Sequence, residues 1–213
     1  MKSEDNPSSL RGSRSIWFRL WHWLDALVIL GLLGTVLLRK TFLSWHSNST
    51  FIETTLRDAG TTITPELAKK IAIGLREPMW DFQYIFGFTL AGLFVVRIIL
   101  GFIPGQHPML GGLRKYFKAP AGAKPSKHFF LIKAGYAVFY VMVTFMITSG
   151  LLMYFKTELS LPKDFIGFVK EVHELSMWFF AAFVVLHTAG VVIAENQDEP
   201  GLVSDMLNGG EKD

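Results

Sequence analysis

Four long apolar blocks dominate the pattern of hydrophobic and polar positions along the chain. They run from about residue 16 to 38, 82 to 102, 129 to 155 and 166 to 194, with polar stretches between them. Each block is close to the roughly 20 residues that a helix needs to cross about 30 Å of hydrocarbon. The pattern predicts an all-α membrane protein, in which residues 16–195 form one bundle of four transmembrane helices.

The segments outside these blocks have characters of their own. Residues 1–15 are predicted to be a flexible tail, and residues 196–213 an acidic tail. The first block follows a basic stretch, as a signal peptide does, but it is longer and has no small-residue cleavage site, so we expect a retained helix. In the first loop, Thr64 and Pro65 precede apolar residues at helical spacing, which predicts a short surface helix lying along the membrane.

Lysine and arginine residues indicate how the chain is oriented. They concentrate in the amino-terminal tail and in the loop between the second and third blocks. Because cytoplasmic loops carry an excess of these residues, both termini are predicted to lie in the cytoplasm. The loop with the surface helix then lies in the periplasm.

Composition narrows the possible chemistry. The chain has no cysteine, which excludes cysteine-ligated iron–sulfur clusters, disulfides and the covalent attachment of c-type haem. Haem held by histidine remains open. The net charge is only +3, and the basic residues lie beside membrane segments, so nucleic acid is not expected as a partner.

Three of the six histidines lie inside the apolar blocks. His173 and His187 are just under four helical turns apart, so they point to roughly one face, about 21 Å apart along the axis. His22 lies near the start of the first block, at the depth of His187 in the predicted topology. Two neutral imidazoles facing each other across a bundle are what six-coordinate haem iron needs. The alternative is three unrelated histidines, each hydrogen-bonded to a neighbouring helix.

Charged residues near these histidines are further candidates for the site. Arg19 and Arg97 lie at the predicted cytoplasmic ends of the first two helices, where they would bind haem propionates. The alternative is that these two arginines extend to the interfacial water and set the topology. The remaining histidines, His46, His107 and His128, are interpreted as solvated or interfacial.

Several motifs together resemble the bacterial cytochrome b561 and nickel–iron-hydrogenase b-type cytochrome family. They are Arg-Leu-Trp-His22-Trp, the Gly87…Arg97 pattern, Thr148-Ser-Gly150, His173-Glu…His187-Thr-Ala-Gly190 and the tail Ala-Glu195…Gly201-Leu-Val-Ser-Asp-Met-Leu-Asn-Gly209. The resemblance covers about residues 16–210 and implies a di-haem cytochrome of the bacterial inner membrane. One haem b would lie near the cytoplasmic face, between the first and fourth helices, held by His22 and His187.

The resemblance also shows where this chain departs from the family. The periplasmic haem would use His173 and a histidine four residues before Gly87, but Gln83 occupies that position. A glutamine amide is a poor iron ligand compared with imidazole. The second haem is then absent, five-coordinate on His173, or completed by another group such as His46 folded back from its loop. We expect an ordinary cytoplasmic haem and a weakened or altered periplasmic one.

The function implied is electron transfer between haem and a membrane quinone, ubiquinone or menaquinone. The protein would act alone or as the anchor of a respiratory complex, with a redox subunit docking on the loop 39–80. Asp25, one turn after His22, is a candidate proton relay, as is Glu174; the alternative for Asp25 is a carboxylate paired with Arg19. A haem-free structural or transport subunit is the alternative function, and it would explain Gln83 directly.

Overall fold

A computed structural model describes residues 15–103, 111–120, 127–197 and 200–209, and all regular secondary structure in these ranges is helical. The helices are α1 (Ile16–Lys40), α2 (Trp45–Asp58), α3 (Pro65–Arg76), α4 (Pro78–Phe102), α5 (Gly111–Lys118), α6 (Lys127–Tyr154), α7 (Lys163–Asn196) and α8 (Leu202–Leu207). Four of them, α1, α4, α6 and α7, contain segments long and apolar enough to cross a bilayer. The prediction of an all-α protein with four spans is confirmed. Residues 1–14 of the predicted tail, His107 and the side chain of His128 lie outside the described parts.

The chain divides into two compact units. The first comprises Met1–Asp25 with Ala91–Asp213, and the second comprises Ala26–Leu90. The division cuts α1 just after Asp25 and α4 just after Leu90.

In the second unit, α1 and α4 run antiparallel. Three contacts join the two helices: Gly31 with Phe86, Thr35 with Gln83, and Arg39 with Trp80. From one contact to the next, the residue number rises by four on α1 and falls by three on α4. Gly31 is required at the first of these contacts, because a Cβ atom there would lie 2.9 Å from the Phe86 ring. In this unit the glycine therefore makes room for the phenylalanine ring.

The first loop contains a helical hairpin of α2 and α3. The Thr64 hydroxyl accepts a hydrogen bond from the Leu67 amide at 3.3 Å, and Pro65 occupies the first turn, so α3 begins where the sequence predicts. Ala68 and Ala72 are fully buried, which lets the two helices approach closely. Helix α2 was not predicted, and the position of α3 along a membrane surface stays a prediction.

In the first unit, α6 and α7 pack antiparallel along an aromatic seam. The rings of Phe139 and Phe183 stack with centres 4.4 Å apart, and Phe139 also meets the edge of Phe180 at 5.9 Å. Helix α7 continues without a break through both of its histidines. Their separation along the helix is therefore set by the helical rise, at about 21 Å.

The carboxyl-terminal tail folds back onto α1 within the first unit. The Glu195 carboxylate accepts hydrogen bonds from the Gly201 and Val203 amides, at 2.9 and 2.8 Å, and so caps the start of α8. The other end of α8 receives a hydrogen bond of 3.1 Å from the Trp23 indole to the Met206 carbonyl. The tail predicted from residue 196 therefore contains a helix with defined contacts.

Candidate functional site

His22 on α1 and His187 on α7 come together in the first unit. Their ring centres are 6.3 Å apart, and the ring planes are inclined by 54°. A metal–imidazole bond is about 2 Å, and the bonded nitrogen lies roughly one further ångström from its ring centre, so two imidazoles on opposite sides of one metal have centres about 6 Å apart. The observed separation fits a single iron between the two rings.

Aromatic side chains fix the orientation of this pair. Phe183, one turn before His187 on α7, lies parallel to it within 4°, with ring centres 5.7 Å apart. Tyr136 approaches His187 edge-on from α6 at 6.2 Å, and Trp23 meets His22 edge-on at 5.4 Å. A largely apolar lining with a few convergent polar groups is typical of a cofactor site.

Arg97 offers a buried donor in the same unit. Its side chain is only 3% exposed, and its Nε donates a hydrogen bond to the Tyr140 hydroxyl at 3.1 Å. The guanidinium lies 5.3 Å from the ring centres of both Phe18 and Trp21. Its Nη1 is buried without a hydrogen-bond partner, which is costly for a charged group. A carboxylate such as a haem propionate would satisfy that nitrogen.

Arg19 already forms a hydrogen bond with the carboxyl-terminal tail. Its Nη1 donates to the Leu207 carbonyl at 2.6 Å, so it anchors the end of α8. Its guanidinium also packs on Gly209, where a Cβ atom would lie 3.2 Å from the Arg19 Cζ and where φ is +96°. Its Nε is buried without a hydrogen-bond partner. Arg19 therefore joins the tail to the helix that carries His22, and its role toward a propionate stays a prediction.

Asp25 is buried one turn after His22, with 7% of its surface exposed. Within the described parts of the chain it forms no ion pair with Arg19 and no hydrogen bond, so the pairing considered as the alternative is not observed. Glu174, the other relay candidate, is exposed and pairs with Lys170 at 3.8 Å. Of these two carboxyl groups, only Asp25 is buried, and a buried carboxyl group in a membrane segment usually has a function.

His173 meets α6 in the first unit. Its Nδ1 lies 2.7 Å from the Ser149 hydroxyl oxygen. A Cβ atom on Gly150 would lie 3.7 Å from the His173 Cε1, so the ring is seated against this small residue. Both histidines of α7 contact α6, His187 through Tyr136, as the predicted common face requires.

Gln83 has a partner of its own in the second unit. It is half-buried, and its amide oxygen accepts a hydrogen bond of 2.6 Å from the Thr35 hydroxyl. His46 stacks on the neighbouring Trp45, with ring centres 3.5 Å apart. Each side chain therefore has a local structural role in that unit.

A family model described as prokaryotic cytochrome b561 matches residues 13–209. The chain belongs to the prokaryotic cytochrome b561 family. It is therefore a multi-pass membrane protein of a family that binds b-type haem and transfers electrons. Comparisons with curated proteins and with solved structures give no match.

Three features of this cytochrome b561 relative escaped the sequence reading. Tyr140 supports Arg97, Ser149 meets His173, and Glu195 caps α8. Ser149 and Glu195 belong to motifs that carry the family resemblance, which does not reveal their contacts. Tyr140 and Arg97 are 43 positions apart in the chain, so no local spacing signals their hydrogen bond.

The residues present fit b-type haem at the His22–His187 pair. Two imidazoles stand at a separation suitable for one iron, and a buried guanidinium nitrogen lacks an acceptor in the same unit. Among the described residues, no cluster of three or more histidine, cysteine or acidic side chains could hold a bare metal ion. The donor set suits a macrocycle, which supplies the remaining four ligands itself.

Proposed function

We propose that this cytochrome transfers electrons to or from a membrane quinone, with His22 and His187 as the residues that would hold a haem b. The approach of these two rings to 6.3 Å carries the proposal. When bound, haem supplies one-electron redox chemistry. The Lys/Arg distribution favours the cytoplasmic half of a bacterial inner membrane for this site.

The chain's own residues hold and orient the group. Phe183 and Tyr136 restrain the His187 ring, so little reorganisation accompanies ligation. Arg97 would neutralise a propionate through its buried Nη1, while Tyr140 holds the guanidinium through Nε. Arg19 is proposed as a second propionate contact through the donors that the tail does not use.

A second, weaker haem site is proposed at His173. The chain supplies imidazole from α7, while the amide oxygen of Gln83 is engaged by Thr35. We therefore expect a haem with His173 as its one strong protein ligand, held less tightly than the first.

The proposed substrate is ubiquinone or menaquinone dissolved in the lipid. Quinone reduction takes up protons as well as electrons. Asp25 is proposed to deliver one of these protons, because its carboxyl group is buried one helical turn from His22 on α1. The α2–α3 hairpin exposes large apolar side chains, among them Phe51 and Leu75. These give a redox subunit a surface to dock on, if the protein acts as a membrane anchor.

The test is a reduced-minus-oxidised absorption spectrum of the purified protein, with haem quantified per chain. A low-spin b-type signal from about one tightly held haem per chain, with a second that is weaker, is expected. Two ordinary bis-histidine haems per chain would contradict the altered second site. No haem after expression with adequate haem supply would overturn the proposal and favour a structural or transport role.

A further inference from the structure

We infer that Ser149 is a positioning residue for His173: it fixes the imidazole as the Nδ1–H tautomer and leaves Nε2 as the metal ligand. The inference rests on the proposed function, in which His173 binds haem. It concerns a contact between α6 and α7 inside the first unit.

The Ser149 hydroxyl has three polar neighbours. Its oxygen lies 2.7 Å from the Phe145 carbonyl, 3.2 Å from the Met146 carbonyl and 2.7 Å from the His173 Nδ1. Carbonyl oxygens can only accept, and a hydroxyl has one hydrogen to give. The serine therefore donates to Phe145, one turn earlier on its own helix.

This hydrogen bond also determines which nitrogen of His173 carries the proton. With its hydrogen committed to Phe145, the Ser149 oxygen can only accept from His173, so Nδ1 must carry the proton. The reverse arrangement would leave two carbonyl oxygens facing a hydroxyl oxygen with no hydrogen between them. Ser149 is only 3% exposed, so water does not relieve that repulsion.

The other nitrogen of the His173 ring, Nε2, then carries no proton. A neutral imidazole has one N–H, so protonation at Nδ1 places the free lone pair on Nε2. His173 makes no hydrogen bond through Nε2 within the described parts of the chain. A ligand histidine that donates its second nitrogen to a neighbouring acceptor is the usual arrangement at metal sites.

Gly150 lies next to the His173 ring. A Cβ atom on Gly150 would lie 3.7 Å from the His173 Cε1, an ordinary van der Waals contact, so the ring lies beside this residue without depending on the missing side chain. Within the Thr148-Ser-Gly150 motif, the hydrogen bond between Ser149 and His173 is therefore the contact that orients the ring.

Loss of the hydrogen bond has a predictable direction. Donation from Nδ1–H increases the electron density at Nε2 and so favours the oxidised iron. Ser149→Ala should therefore raise the midpoint potential of the His173 haem and weaken its retention about tenfold. Ser149→Thr keeps a hydroxyl at the same position and should restore most of both properties.

The matched control is Ser176→Ala. Ser176 lies three residues from His173 on α7, and its hydroxyl donates to the Val172 carbonyl at 2.8 Å without touching the ring. This variant loses the same kind of intrahelical bond, so its potential and haem retention should equal those of the parent. The His22–His187 haem, unchanged in every variant, reports that the protein has folded.

The experiment is a potentiometric titration followed by absorbance, with haem per chain measured before and after extended washing in detergent. Retention and potential in Ser149→Ala equal to those of the parent, while His173→Ala loses the second haem, would overturn the inference and leave the proposed function standing. A His173→Ala variant with unchanged haem content and spectrum would instead remove the proposed second haem site, and the inference with it, while electron transfer through the His22–His187 haem would still stand.

Discussion

Thr35 donates a hydrogen bond of 2.6 Å to the amide oxygen of Gln83, joining α1 and α4 within the second unit. The Thr35 hydroxyl also lies 2.8 Å from the Leu32 carbonyl of its own helix. Gln83 thus contributes to helix packing at the position where the family resemblance implies a haem ligand.

The resemblance implies that residue 83 faces the second haem, so Gln83→His should supply that haem with a second imidazole ligand. An imidazole replaces the amide, and Thr35 retains the Leu32 carbonyl as acceptor, so the cost in stability should be within about 1 kcal/mol. The low-spin fraction and the haem content should both rise, as measured by absorption and electron paramagnetic resonance spectroscopy. Gln83→Leu, which removes the amide without adding a ligand, is the control. Equal spectra for the two variants would argue against a haem site at this position.

His22→Ala and His187→Ala should remove the same haem. Two ligands of one iron act as a unit, so the double variant should lose no more haem than either single variant. Haem per chain and the low-spin absorption band are the measurements. His46→Ala, whose ring stacks on Trp45, should leave both unchanged. Separate losses that add in the double variant would mean that the two histidines serve different groups.

Asp25→Asn should slow electron exchange with quinone at least about tenfold while haem content stays constant. Asparagine keeps the shape of the side chain but cannot release a proton, and positioned acid–base groups contribute roughly 10²-fold or more to rates. Haem reduction by a short-chain quinol, followed by stopped-flow absorbance, measures this. Asp81→Asn, at an exposed position in the first turn of α4, is the matched control. An unaltered rate in Asp25→Asn would take that residue out of the proton path.

Glu195→Ala should loosen the carboxyl-terminal helix. The carboxylate accepts the Gly201 and Val203 amides, and losing both bonds at this partly exposed site costs roughly 1–2 kcal/mol of local unfolding free energy. Amide hydrogen exchange over residues 201–209 should accelerate about tenfold. Glu171→Ala, an exposed acidic residue on the same helix, should have no such effect. Unchanged exchange in Glu195→Ala would show that contacts with Arg19 and Trp23 hold α8 by themselves.

The spans and the main histidine pair could be predicted because their signals are local or periodic. Apolar length marks the four spans, and a spacing just under four turns puts His173 and His187 on one face. The antiparallel arrangement of adjacent spans then brings His22 and His187 to one depth. The close ring approach in the first unit follows from these constraints.

The supporting contacts could not be predicted, because they join segments far apart in sequence. The Tyr140 hydroxyl reaches Arg97 from another helix, and the Leu207 carbonyl accepts from Arg19 across most of the chain. Helix α2 was also missed, since its sequence is polar and none of its residues is buried. Its formation depends on packing against α3, which overrides a weak local signal.

The unbroken course of α7 has a mechanical consequence. Because both histidines lie on one continuous helix, the helical repeat of about 1.5 Å and 100° per residue sets the position of one proposed redox centre relative to the other. Inserting a single alanine between Phe179 and Phe183 would lengthen α7 only slightly. It would, however, turn one histidine about 100° away from the face it shares with the other, and so disconnect the centres by rotation rather than by distance.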